Sequence, residues 1–221
     1  MTKKQSASQL DEIESITLGH YNANAQSFWL GTKDHDVDQN INAFLQALPK
    51  DKALDILDFG CGPGRDLITF KKFGHKPIGL DGSEEFCTLA RINSECPVLH
   101  MSFLDLELGE AMFDGIFANA SLFHVPSQEL ASVLGKCFQA LRPGGILFAS
   151  NPRGSGEGWQ GERYGNYMEY EQSNIYMQQA GFEVLHHYYR PQGQPIHLQP
   201  WLVLLVLQPL LLEPTADDEL S

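Results

Sequence analysis

The sequence predicts an α/β protein built on a doubly wound, mostly parallel sheet, and three features carry that prediction. An apolar run at residues 54–57 ends in Asp58 and turns through Gly60-Cys61-Gly62-Pro63-Gly64 into a helical pattern of Leu67, Ile68, Phe70 and Phe73. A second apolar run, residues 77–80, ends in another carboxylate, Asp81, where the acceptor of a ribose hydroxyl belongs in a nucleotide-binding sheet. From residue 53 to residue 150, short apolar segments alternate with stretches of helical periodicity, the order expected of strands and the helices that cover them.

The glycine-rich turn is the most informative stretch. Its glycines let the backbone bend sharply and keep side chains out of a ligand's way, and the helix that follows offers unpaired N–H donors. The spacing separates the possible ligands. A dinucleotide fingerprint counted from Gly60 needs a glycine where this chain has Arg65, and the Gly-Lys-Ser/Thr of a phosphate-binding loop is absent. The turn reads Asp58-x-Gly60-x-Gly62-x-Gly64 instead.

The remaining elements follow in order. Residues 1–20 read as a frayed end and a short amphipathic helix around Leu10, Ile13 and Ile16. Val37, Ile41, Phe44, Leu45 and Leu48 recur at helical spacing until Pro49 ends them. Strands are predicted at 53–57, 76–80, 97–100 and within 112–119, with helices at 64–73 and, capped by Ser83, to about 91. The clearest helix is 127–141, where Leu130, Val133, Leu134, Cys137, Phe138 and Leu141 form one face. A turn at 142–145 leads to a strand at 146–150. Residues 151–166, rich in glycine, read as a long loop leaving the ligand-binding edge of the sheet. A helix at about 170–180 stops at Gly181, strands follow at 182–189 and 201–207, and Pro191, Pro195 and Pro200 make their connection a loop. The partition expected is a helical 1–50, a sheet domain at 51–212 and an acidic, disordered 213–221.

Composition narrows the partners. A net charge of -13 disfavours non-specific nucleic-acid binding, which depends on Lys and Arg neutralising phosphates. The four cysteines, Cys61, Cys87, Cys96 and Cys137, form no C-x-x-C pair and no zinc spacing, so they read as reduced thiols of a cytoplasmic protein. The start of the chain lacks the apolar stretch of a signal peptide. The apolar run 201–212 is interrupted by Pro209 and shorter than the roughly 20 residues that cross a bilayer, so a buried strand is expected and no membrane.

The Asp58 to Gly64 pattern resembles motif I of class I S-adenosylmethionine-dependent methyltransferases. Phe113-Asp114-Gly115-Ile116, Leu141-Arg142-Pro143-Gly144-Gly145 and Ala180-Gly181-Phe182-Glu183-Val184 are similar to three further family segments, in the family's order. Tyr21, Ala25 and Phe28 match an entry segment that folds over the cofactor as a lid in many small-molecule members. The resemblance implies a seven-stranded sheet with an antiparallel last strand and S-adenosylmethionine as cofactor. By position it implies that Asp58, Gly60, Cys61, Gly62, Gly64 and Arg65 shape the methionine end of the cofactor pocket. Asp81, Gly82 and Ser83 would meet the ribose and adenosine, Phe103, Leu104 and Asp105 the adenine, and Asn119 the transferred methyl.

The expected reaction is an in-line displacement on a small-molecule acceptor, with alignment as the main demand on the protein. His124 and Tyr21 are the catalytic candidates, His124 either as a base or as packing beside the cofactor. Trp29, Arg153, Arg163 and Tyr164 are the substrate-binding candidates, the arginines because guanidinium forks match carboxylate or phosphate. A monomer or homodimer is expected. The competing readings are a methyltransferase for protein or tRNA, a non-catalytic cofactor-binding scaffold and a nicotinamide-dependent oxidoreductase.

Overall fold

The structure is a computed structural model and describes residues 4–210. Three helices come first: α1 (Ala7–Ala23), α2 (Ala25–Thr32) and α3 (Asp38–Gln46). Helix α1 is longer than the sequence pattern suggests. Ser6 and Gln9 form a reciprocal capping box that fixes its start, and the helix runs on past the apolar residues to Ala23.

The sheet domain runs β1 (Asp55–Phe59), α4 (Arg65–Lys72), β2 (Lys76–Asp81), α5 (Glu84–Ser94), β3 (Val98–His100), β4 (Phe113–Asn119), α6 (Ser127–Ala140) and β5 (Leu141–Pro152). Two short strands, β6 (Gly156–Gln160) and β7 (Arg163–Tyr167), then precede α7 (Tyr170–Gln179), β8 (Glu183–Arg190) and β9 (Trp201–Leu207). Seven strands form one sheet in the order β3-β2-β1-β4-β5-β9-β8. β9, the last strand of the chain, runs antiparallel to both its neighbours, β5 and β8, and the pairs among the first five strands are parallel. The order reverses between β1 and β4, the crevice where open α/β sheets receive ligands.

Alternation along the strands builds two cores. Ile56, Phe117, Ile146, Phe148, Val203 and Leu205 face one side, against Ile41 and Phe44 of α3 and Phe70 of α4. Leu57, Ile116, Ala118, Leu147, Ala149, Leu202 and Leu204 face the other, against α6 and Met177 of α7. Period-2 strands that are buried on both faces produce this division, and they read in sequence as nearly continuous apolar runs. Gly115 is required by the packing: a Cβ there would fall 2.9 Å from Cε2 of Phe44.

Two expectations need correction. The turn at 142–145 lies inside β5, which begins at Leu141 and shifts register against β4 between Phe113 and Gly115. The stretch 151–166 is not a long loop. It finishes β5 and then forms the β6–β7 hairpin, with Trp159 opposite Tyr164, Gly158 opposite Gly165, and Gly161 at φ +62° opening a two-residue turn. Glycine masks the alternation there, because a strand without side chains on one face shows no hydrophobic period. The expectation of disorder at 213–221 falls outside the described residues.

Phe44 is fully buried among Phe70, Phe117 and Phe148, with ring centroids 5.8, 5.3 and 6.2 Å away. Phe44→Ala is expected to cost about 3–5 kcal/mol of folding stability, seen as a lowered urea midpoint. Leu30→Ala, at a position 60% exposed, serves as the reference and is expected to change little. Equal effects at the two sites would contradict this account of the core.

Candidate active site

The C-terminal ends of β1, β2, β4 and β5 open onto a cavity of about 520 Å³. β1 delivers the chain to Gly60, whose N–H donates to the carbonyl of Leu80 at 2.8 Å, as does that of Cys61 at 3.0 Å. Gly60 and Gly62 have φ of 76° and 52°, and a Cβ on Gly60 would collide with Ser121. The turn therefore presses against the ends of two strands at once, which only glycine permits.

Asp81 ties this turn to the next. Its Oδ2 accepts the N–H of Gly62 and its Oδ1 accepts that of Ser83, each at 2.9 Å. Burial pushes the carboxyl up to about 6, against the pull of those Ser83 and Gly62 donors. Each carboxylate oxygen keeps a further lone pair, and Asp81 and Gly82 both stand on the cavity wall. Ser83 is buried as the cap of α5, accepting from the Phe86 N–H at 3.1 Å. Phe103 stacks on Phe59 at 4.4 Å and, with Leu104, continues the wall. Asp105 is exposed and off the wall, so the structure does not bring it to the cavity.

Asp58 is buried behind the turn, off the wall, and its Oδ2 has no hydrogen-bond partner among the described residues. Burial, followed by the neighbouring charge of Asp66, holds its carboxyl well above the usual range. Gly64 also lies off the wall: a Cβ there would reach Cα of Ala90 at 2.9 Å, so its role is helix packing. Arg65 lines the cavity, but its guanidinium forks onto Asp66 at 2.7 and 2.9 Å. Asp66 also accepts from the Asn119 side chain at 3.3 Å, and the Oδ1 of Asn119 accepts from the Asn40 side chain at 3.0 Å. Cys61 lies on the wall with its thiol pushed up by burial and by Asp81, so it stays neutral.

Helices α1 and α2 roof the cavity. Leu18 covers Gly82, Asn22 accepts from the Ser83 hydroxyl at 2.7 Å, and Phe28 covers Gly62. Trp29 lines the opening. The Tyr21 hydroxyl lies 2.8 Å from Nε2 of His124, and Nδ1 of His124 lies 2.7 Å from the carbonyl of Tyr164. A carbonyl only accepts, so Nδ1 carries the proton and Nε2 accepts the phenol O–H. Burial drives the His124 pKa down to about 4, and Arg163 adds to the fall. Burial also raises the Tyr21 phenol, against the neighbouring Arg163. His124 is thus a neutral ring whose acceptor nitrogen is already taken. That nitrogen faces the Tyr21 hydroxyl.

Of the substrate candidates, Arg163 reaches the cavity and Arg153 does not. Arg153 pairs with Glu169 at 2.9 Å, donates to the carbonyls of Ile196 and Gln199, and lies over the Tyr189 ring, pinning the loop between β8 and β9. Tyr164 is buried and contributes its backbone carbonyl, while its hydroxyl accepts from Gln5 at 2.9 Å. Sequence reasoning missed Ser150, Arg190 and Trp201, all on the wall. The antiparallel β9 is the signal that finds two of them, because it returns the end of β8 and the start of β9 to the ligand edge. No metal-binding cluster and no helix long and apolar enough to cross a membrane occurs among the described residues.

Asp58 has a folded pKa above its unfolded one, so its contribution is full below the ordinary carboxylate range and is lost as pH rises through the folded value. Asp58→Asn is therefore expected to raise the melting temperature of ligand-free protein at pH 8, with a smaller gain at pH 5. A gain independent of pH in a thermal scan would remove ionisation as the cause. His124 is expected to keep its Nδ1–H tautomer down to about pH 5 in long-range proton–nitrogen spectra, consistent with its pKa of about 4. Titration at the ordinary imidazole value would contradict the hydrogen-bond assignment.

Residues 56–145 match a family model described as a methyltransferase domain. Trans-aconitate 2-methyltransferase of Azoarcus sp. strain BH72 is 34% identical over 113 residues, which make up 49% of this chain and 43% of that protein. The chain spans less than half the length of that relative, and only 38% of another curated relative it matches. Among solved structures, 1,6-didemethyltoxoflavin-N1-methyltransferase of Burkholderia thailandensis, with 1,6-didemethyltoxoflavin and S-adenosylhomocysteine bound, aligns at a TM-score of 0.73 and 19% identity, covering 95% of this chain and 93% of that one. The cyclase SpnF aligns at 0.64 and 17% identity over 78% and 82% of the two chains, so the fold alone does not name a reaction. The glycine turn, the strand order and the matched segment agree: residues 56–145 are similar to a methyltransferase domain, and the chain shares the fold of a solved S-adenosylhomocysteine-bound methyltransferase.

Proposed function

We propose that the protein transfers a methyl group from S-adenosylmethionine to a small-molecule acceptor by in-line displacement. The observation that carries the reading is Asp81, a buried carboxylate on the cavity wall, held rigid by two backbone donors and keeping acceptor capacity for a ribose diol. The residues present fit the cofactor. Gly62 leaves the wall open, with only Phe28 near the place of a Cβ, at 3.9 Å, and the Phe103–Leu104 wall is apolar as a base requires. When bound, the cofactor supplies an electrophilic methyl on a sulfonium whose leaving group is a neutral thioether.

The chain's own groups then have limited work. Asp81 and the glycine turn fix one reactant, and α1 and α2 form a lid that excludes water. Tyr21, its proton engaged by His124, stands on the cavity wall beside Arg163. Alignment of two reactants is worth up to ~7–11 kcal/mol without any base. A cavity of this volume suits a cofactor plus a small acceptor, and the acidic net charge of -13 disfavours a nucleic-acid substrate.

Calorimetric titration with S-adenosylmethionine, S-adenosylhomocysteine and NAD tests the reading. Micromolar binding of the two sulfur compounds is expected, absent for NAD and weakened at least about tenfold by Asp81→Ala. Because a raised carboxyl must lose its proton to receive two hydroxyl donors, affinity is expected to fall by up to about tenfold from pH 7.5 to pH 5, around the value of about 6. Binding of NAD alone, or of none of the three, would sink the cofactor assignment.

A further inference from the structure

The half of the cavity beyond β4 has its own chemistry. The chain contains six arginines, all among the described residues. Arg65, Arg142 and Arg153 are engaged with carboxylates, and Arg91 donates to the carbonyl of Val98. Arg163 and Arg190 have no ion-pair partner among the described residues, and both line the cavity. Arg190 donates only its Nε, to Gln39 at 3.3 Å, which leaves its two terminal nitrogens available. Both cations border the cavity without a carboxylate partner among the described residues, in a chain with a net charge of -13, and Arg163 stands beside the Tyr21 hydroxyl.

None of the acidic side chains of the same cavity forms an ion pair with them among the described residues. Asp66 is occupied by Arg65, Glu14 by the Ser102 hydroxyl, and Asp81 by the Gly62 and Ser83 N–H groups. Asp36, at the mouth, accepts the Asp38 N–H at 3.0 Å. A second observation points to a ligand at this end. Ser150, the last of β5 to pair with β4, is fully buried and lines the cavity, and its hydroxyl has no hydrogen-bond partner among the described residues. A buried hydroxyl without a partner carries a desolvation cost that a ligand acceptor would offset. Trp29, Phe123 and Trp201 give the same region flat apolar walls.

We infer that the acceptor is a carboxylate-bearing small molecule with a flat apolar body, its anionic group held by Arg163 and Arg190 and its body between the aromatic walls. This deepens the methyltransferase reading and rests on it for the identity of the other half of the cavity. It also agrees with the state of His124, whose acceptor nitrogen faces the Tyr21 hydroxyl: a carboxylate nucleophile needs no proton removed.

The test titrates intact protein, preloaded with S-adenosylhomocysteine, with trans-cinnamate, phenylacetate, their primary amides and inorganic phosphate, by calorimetry. The expected result is that the acids bind at least about tenfold more tightly than the amides, and that Arg163→Gln with Arg190→Gln removes the difference while S-adenosylhomocysteine affinity stays unchanged. Each single variant is measured too, so that a misfolded double variant does not stand as support. Equal binding of acids and amides, no acid binding at about 10 mM, or a preference unaffected by the variants would overturn the inference. Phosphate binding more tightly than the carboxylates would overturn the carboxylate assignment. The two readings fail separately: S-adenosylhomocysteine binding without acid selectivity removes only the anion site. Acid selectivity without S-adenosylhomocysteine binding removes the methyltransferase reading and leaves the anion site standing.

Discussion

The Asp81 carboxylate is the constraint on which the site depends. It closes β2, accepts one N–H from the glycine turn after β1 and one from the start of α5, and so fixes two neighbouring loops relative to each other. The turn can reach it only because Gly60 and Gly62 take left-handed conformations, and α5 can start beside it only because Ser83 caps the helix and is itself held by Asn22 of α1. Removing this carboxylate would leave two buried backbone donors without partners, so its effect on the site and its effect on the fold have one origin.

That arrangement has a stability cost that the rest of the chain must offset. Asp58 and Asp81 are both buried and both raised by desolvation, and Asp58 has an oxygen without a partner. Elsewhere buried acids are fully satisfied. Asp114 receives Lys52, Arg142 and the Asp55 N–H, and those partners hold its carboxyl below the usual range in spite of its burial. The two cores on either side of the sheet are apolar, although the Tyr188 hydroxyl packed against one of them is also without a partner among the described residues. The two raised carboxyls both stand at the ligand edge.

Much of the sheet was legible because both its faces are covered: apolar runs, glycine punctuation and helical periodicity agree on each element. The hairpin was not, because Gly156, Gly158, Gly161 and Gly165 carry no period, and its register is set by Trp159 facing Tyr164 and by the turn. In the site, Asp81 could be placed from its spacing after the glycine turn, while the turn residues came from the resemblance, and of these Asp58 and Gly64 lie off the wall. Side chains on loops could not be placed. Arg153 and Arg163 look equivalent in sequence, but Glu169 and the Tyr189 ring engage the first and leave the second on the cavity wall. The His124 tautomer is likewise set by a carbonyl forty positions away, and no local pattern encodes that.

Helix α1 touches both halves of the cavity. Asn22 and Glu14 bond to Ser83 and Ser102 on one side, while Thr17 accepts the Tyr164 N–H and His20 meets Glu162 on the hairpin side. A change that displaced α1 would therefore loosen the β2–α5 side and the hairpin side of the cavity together.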